Sequence, residues 1–146
     1  MTLNLESIEE KMKKLFEAIG VLEQEKKINL KTFKEELVHQ GAVCYYLVVG
    51  IEAIADIGNH ILARYFQKPE KEYEQIIKML GERGVISKNI TKRNEGMAKF
   101  RNLLIHLYAK VDHKLVYNYL QKAPDEFREY AKGFYLFLEK TKKEIK

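Results

Sequence analysis

Arg101, Asn102, His106 and Tyr108 bring a cation, an amide, an imidazole and a phenol into one short stretch of the chain. Histidine titrates near neutrality and can move protons. Arginine is a permanent cation whose planar fork matches phosphate oxygens. Together they cover what metal-free cleavage of RNA requires: a base for the 2′-hydroxyl proton and a cation for the charged phosphorane. A helix-end histidine and a surface arginine account for the same residues, because both types are common on solvated helix faces. Residue type alone leaves the two readings open.

The spacing decides which side chains share a face. On a helix at about 100° per residue, with Arg101 at zero, Leu103, Leu107, Phe100, Leu104 and Met97 fall between about 200° and 320° and form a core side. Tyr108, Arg101, Ile105, Asn102 and His106 take the remaining arc. Asn102 and His106 are an i,i+4 pair that can touch, and Tyr108 lies two turns along from Arg101. Ile105 is apolar in the middle of this polar face. A second copy of the chain is the simplest surface to cover it, which makes a homodimer the expectation.

Glu52, Asp56 and His60 recur every four residues in an apolar setting. A buried carboxylate needs a partner, and Arg101 is the first candidate. Glu52 and Asp56 would then brace the motif cation or line a groove for substrate; an ordinary buried polar pair or a solvent-open face fits equally. A metal held by Glu52, Asp56 and His60 is the least favoured option, because ligands at i, i+4 and i+8 spread over about 12 Å of helix axis. The chain has no Gly-rich phosphate loop, no His-Glu-x-x-His and no Cys-x-x-Cys, so neither a cofactor nor a metal is expected. His39 and His113 show no partner pattern.

The elements that must position these residues are helical nearly throughout. Leu5, Ile8, Met12, Leu15, Phe16 and Ile19 mark a first helix ending near Gly20. A second starts at Leu30 or Thr32 and can run to Tyr65, with bends at Gly41 and Gly50; its middle is apolar on all sides, so it should be the most buried. Pro69 fits the first turn of a third helix through Leu80, stopped by Gly81-Glu82-Arg83-Gly84. Ser87 caps a region running to Leu107, Asp112 caps a short helix to Tyr119, and Pro124 opens a last helix.

This pattern predicts an all-α fold, an up-and-down helical bundle of about five or six helices, in a single domain over residues 1–146. The 146 residues are 46% hydrophobic and 32% charged, a globular balance. The net charge of +5 permits a nucleic-acid partner without demanding one. The lone Cys44 sits in an apolar run and suits a reducing cytoplasm. The uninterrupted apolar stretch from Gly41 to Ile51 stops at Glu52, short of the roughly 20 residues of a membrane span, so no membrane is expected.

The segment Arg101–Tyr108 resembles the Arg-x4-His-x-Tyr motif of HEPN domains, specifically the HepT toxins of HepT–MntA toxin–antitoxin modules. Two further segments, Gly50–Leu62 and Tyr73–Ile86, resemble the family's central helix and the helix and turn that follow. The likeness runs from about Phe33 to Leu138 and leaves the first thirty residues without a counterpart. It implies a two-fold homodimer whose motif helices meet across a cleft, and metal-independent RNA cleavage leaving a cyclic phosphate. His106 would transfer the proton, Arg101 would bind phosphate, and Asn102 would orient His106 or the substrate. The implied antitoxin is a minimal nucleotidyltransferase that silences the toxin by adding AMP to the motif tyrosine, here Tyr108. The substrate would be RNA, a tRNA or an mRNA. A non-catalytic helical subunit that binds the nucleotidyltransferase is the alternative the same family allows.

Overall fold

The computed structural model describes residues 3–106 and 112–144. Among them stand seven helices and no strand: α1 (Leu5–Glu25), α2 (Leu30–Glu35), α3 (Leu37–Arg64), α4 (Tyr73–Glu82), α5 (Lys88–Arg93), α6 (Met97–His106) and α7 (His113–Glu144). α3 is the axis of the bundle. It packs most extensively on α1 and also on α7, α4, α6 and α2. Ile51, Ile54, Ile57, Ile61 and Leu62 of α3 are buried, as are Leu15 and Leu22 of α1, Phe33 of α2 and Phe127, Tyr130 and Phe134 of α7. Each such side chain contributes about 1.5–3 kcal/mol on burial, against about 0–1 kcal/mol for an exposed ion pair. The core therefore holds the fold, and the polar side chains of the site are free for other work.

Outside the α5–α6 region, four boundaries differ from the sequence-based expectation. α1 runs past Gly20 to Glu25, because its apolar stripe continues to the fully buried Leu22. The long second helix breaks into α2 and α3, at Glu36 (φ −113°, ψ 109°) rather than at either glycine. The buried Gln40 amide fills the break: its Nε2 donates to the Phe33 carbonyl at 2.8 Å and to that of Lys34 at 3.0 Å, satisfying carbonyls at a helix end. Pro69 lies in the loop before α4, not in its first turn. Finally, the two helices expected after Asp112 are one: α7 passes straight through the buried Pro124. Val116, Leu120, Ala123, Phe127, Tyr130 and Phe134 form a continuous buried stripe across it, and tertiary packing of that stripe outweighs the lost N–H. Asp112 does cap the start, its Oδ1 accepting from the backbone N–H groups of Lys114 and Leu115.

α3 is long and apolar enough to cross a membrane by length and composition, so the interrupting Glu52 does not settle that question. Half of its apolar window is buried inside the bundle, and it serves as the core helix. Cys44, on this helix, is partly buried, and burial pushes its thiol pKa up, away from the reactive thiolate.

Candidate active site

α6 is short, and three contacts place it. The Ser87 Oγ caps α5 by accepting from the Asn89 N–H. The buried Asn94 then closes the α5–α6 turn, its Nδ2 donating to the Ile90 carbonyl at 2.7 Å and to Glu126 Oε2 on α7 at 2.9 Å. This turn divides the helix expected from Ser87 onward into α5 and α6. On the inner side of α6, Met97 and Leu104 are buried and Phe100 stacks on Tyr119 of α7, with ring centroids 4.4 Å apart. That seating turns Arg101 toward α3.

Arg101 is the hub. Its Nη2 donates to Glu52 Oε1 at 2.6 Å, and its Nη1 donates to Asn102 Oδ1 at 3.0 Å. Its guanidinium carbon lies 4.5 Å from the ring centroid of Tyr73, at the start of α4. The Arg101 side chain is 20% exposed and that of Glu52 37%. At that exposure the pair adds less than about 1 kcal/mol, and the cation–π contact is worth about as much. The three contacts hold direction more than they add stability. Among the described residues, two of the five Arg101 N–H donors are engaged and the buried Nε is without a partner.

Asp56, one turn beyond Glu52, lies at the surface. Crowding by the surrounding helices raises its pKa; Lys11 opposes this, Glu52 adds to it, and Lys14 and Arg101 oppose it further. His60 does not join the carboxylates. Its Nε2 accepts from the Asn4 backbone N–H at 3.1 Å, at the start of α1. Burial lowers its pKa, helped by the positive charges of Arg64 and Lys11. Among the described residues no group of three His, Cys, Asp or Glu side chains is placed to hold a metal ion.

Arg101, Asn102 and Glu52 are thus brought together, with Asp56 as an electrostatic neighbour. His106 is exposed at the end of α6 and makes no hydrogen bond to a described residue. Asn102 gives its amide oxygen to Arg101, not to His106. Ile105 is 38% exposed. Tyr108 lies outside the described residues. Sequence reasoning missed Tyr73, which looked like one more residue of an apolar stripe. Burial raises its phenol pKa; Arg101 opposes the shift, and Glu52 and Asp56 reinforce it. The ring therefore meets the cation as a neutral phenol. His39, which had no partner pattern, sits between Glu25 and Glu36, its Nδ1 2.5 Å from Glu25 Oε2 and its Nε2 3.1 Å from Glu36 Oε2. His113 packs edge-on against Phe33.

The model of the family described as ribonuclease HepT-like matches residues 5–133. This extends the likeness into the first thirty residues. No curated protein matches the sequence. Among solved structures, the cytosolic protein of unknown function YutE from Bacillus subtilis superposes with a TM-score of 0.81 at 17% identity, over 95% of this chain and 93% of that one. A tri-AMPylated Shewanella oneidensis HEPN toxin in complex with an MNT antitoxin gives 0.79 at 20% identity, over 88% of this chain and 96% of that one. A toxin–antitoxin crystallised with AMP-PNP gives 0.77 at 20% identity, over 87% and 96%.

Proposed function

Because the chain belongs to the ribonuclease HepT-like family, we propose that it is a metal-independent endoribonuclease, the toxin of a toxin–antitoxin pair, acting as a homodimer in the cytoplasm. The observation that carries this reading is the placement of Arg101. It is a permanent cation held in direction by Glu52, Asn102 and Tyr73, with N–H donors to spare, five residues before an exposed histidine on the same short helix.

The chemistry follows from those groups. His106 takes the proton of a ribose 2′-hydroxyl, and the oxygen attacks the adjacent phosphorus. The bond to the 5′-oxygen breaks and that oxygen takes up a proton from solvent, leaving a 2′,3′-cyclic phosphate and a 5′-hydroxyl. Free N–H donors of Arg101 meet the charge on the phosphorane, which is worth most when the donors are fixed beforehand. Asn102 and Glu52 act as positioning residues, since they reach the substrate only through Arg101. Asp56 extends the same line of α3 toward Lys11.

The homodimer reading has support on α3. Val38, Gly41, Tyr45, Glu52 and Asp56 fall within about 60° on its wheel. The apolar part of that strip is open: Val38 is 82% and Tyr45 62% exposed, and Leu37 beside it is 81% exposed. It leads directly to Glu52, and Ile105 adds a further exposed apolar residue on α6. A second copy covering this strip would bring two motif helices to one cleft. For the switch, a partner nucleotidyltransferase transfers AMP to Tyr108: the phenolic oxygen attacks the α-phosphorus of ATP, pyrophosphate leaves, and the proton goes to solvent. A phosphodiester there would occupy Arg101. The Shewanella toxin, similar in fold and AMPylated in complex with its antitoxin, supports this reading.

One observation favours the alternative, a non-catalytic helical subunit that binds the nucleotidyltransferase: Glu52 already neutralises the cation of the site. A cleavage assay separates the two. The purified chain, with EDTA present, should cut single-stranded RNA and leave cyclic-phosphate ends. RNA that stays intact over protein shown to be dimeric and free of AMP would leave only the binding role. Co-expression with the nucleotidyltransferase should add one or more adenylyl groups at Tyr108; adducts confined to other residues would remove it as the switch.

A further inference from the structure

Away from Arg101, the end of α3, the α4–α5 turn and the second half of α7 enclose a groove of about 730 Å³, within the size range of small-molecule sites. It shares no lining residue with the Arg101 cluster. Its floor is aromatic. Phe66 meets Tyr65 at 4.8 Å and Phe137 at 5.9 Å between ring centroids, and Tyr65 meets Phe137 at 5.1 Å. Its rim is cationic: Arg83, Lys132 and Lys140 line it, and all three are exposed. The Arg83 guanidinium lies 5.6 Å over the Phe66 ring.

Among the described residues the charge on this rim is uncompensated. None of Arg83, Lys132 and Lys140 forms an ion pair with a described carboxylate. The acid in the wall, Glu129, is engaged by Arg93 at 2.5 Å. Three backbone features lie in or beside the groove wall. Gly133 lets Ile86 seat against α7, where a Cβ would stand 2.6 Å from Ile86 Cδ1. Gly84 turns the rim at φ +74°, and Gln67, directly after Phe66, takes φ +57°, a conformation that side-chained residues seldom adopt.

We propose that this groove binds a nucleoside phosphate, either a free nucleotide or an unpaired nucleotide of an RNA strand. A planar base stacks on the Phe66–Phe137 floor, which is tolerant of base identity because every base has a π-face. The phosphate meets Arg83, Lys132 and Lys140. A simple inorganic anion would use the rim and leave the floor bare.

Calorimetric titration of the intact chain tests this with two probes it cannot cleave, uridine monophosphate and a 2′-O-methyl uridine hexamer. Both should bind saturably, or the hexamer alone if the source is a strand. Arg83→Gln/Lys132→Gln/Lys140→Gln should weaken binding about tenfold or more. It should also lower the slope of log K against log salt for the hexamer by about 2, at roughly 0.7 per phosphate neutralised on a single strand. Phe66→Leu should weaken both probes about fivefold and leave the slope unchanged. Unchanged binding in the triple variant, or inorganic phosphate or tetraglutamate binding as tightly as the nucleotide, would overturn the proposal. The three charged side chains are exposed, so the triple variant decides the matter even if Phe66→Leu melts early. Neither probe is a substrate, so a positive result stands whether or not the chain cleaves RNA.

Discussion

Arg101 and Arg83 each lie over an aromatic ring, Tyr73 at 4.5 Å and Phe66 at 5.6 Å. Around Arg101 a carboxylate and an amide fix two of the nitrogens. Around Arg83 no described acid is bonded, and two exposed lysines share its groove. The first arrangement suits a reaction, where donors must already point at a charge that exists only briefly. The second suits capture, where unneutralised cations draw in an anion and adapt to it. Residue type and ring stacking are alike in the two places; the presence or absence of a fixing carboxylate makes them different.

Substitutions can break or sharpen that contrast. The largest effect is expected at His106, which makes no hydrogen bond or ion pair with a described residue. His106→Ala should reduce RNA cleavage by about 10²–10⁴-fold and leave the thermal midpoint unchanged, read by gel assay and circular dichroism. Cleavage at the wild-type rate would remove it from the reaction. Next is Glu52→Gln, which keeps an acceptor for Arg101 and deletes the charge. It should lower kcat by about tenfold with little change in KM, as expected for an interaction that matters in the transition state. Arg83→Gln should leave the cleavage of a dinucleotide within about twofold of wild type, since the groove shares no lining residue with the Arg101 cluster. Equal losses in Glu52→Gln and Arg83→Gln would erase the distinction. Tyr73→Leu, which removes the ring under Arg101, should cost about two- to fivefold.

The smallest effect is one of stability against pH. His60 has its folded-state pKa below the ordinary 6.5, so the unfolded chain binds more protons between the two values. Stability is then fully present above about pH 6.5 and falls as acid takes the pH down through that window. Asp56, raised from 3.8, acts in the opposite sense: its folded form gains protons first, so its contribution falls as pH rises through its own lower window. His60→Gln should therefore flatten the loss of thermal midpoint between about pH 7 and pH 5. An unchanged profile would show that the burial of His60 beside Arg64 and Lys11 carries no proton linkage.

The parts legible in the sequence were those governed by local spacing. The helical periodicity, the Ser87 and Asp112 caps, the break at Gly81–Gly84 and the central place of the long apolar helix all follow from neighbours within a turn or two. The common face of Arg101 and Asn102 was legible for the same reason, and Glu52 was reachable because a carboxylate in an apolar setting needs a cation. What escaped depends on distant chain. The break at Glu36 rests on the Gln40 amide reaching back to two carbonyls. The passage of α7 through Pro124 rests on a stripe whose value comes from α1 and α3. Tyr73 gains its role only because α4 begins beside α6. Likewise the aromatic floor joins Tyr65 and Phe66 to Phe137, some seventy positions along the chain.

Gly50 sits two residues before Glu52 and faces the Phe127 ring so closely that a Cβ there would stand 2.2 Å from Phe127 Cε2. The two positions are therefore bound to vary together. A relative carrying alanine or anything larger at the first must carry a smaller side chain than phenylalanine at the second, or let α3 and α7 move apart. Moving them apart would carry Glu52 away with α3. The heredity of a site on one side of α3 is thus tied to a packing choice on the other, and an exchange of partners at 50 and 127 should be readable in related sequences alongside change at Glu52.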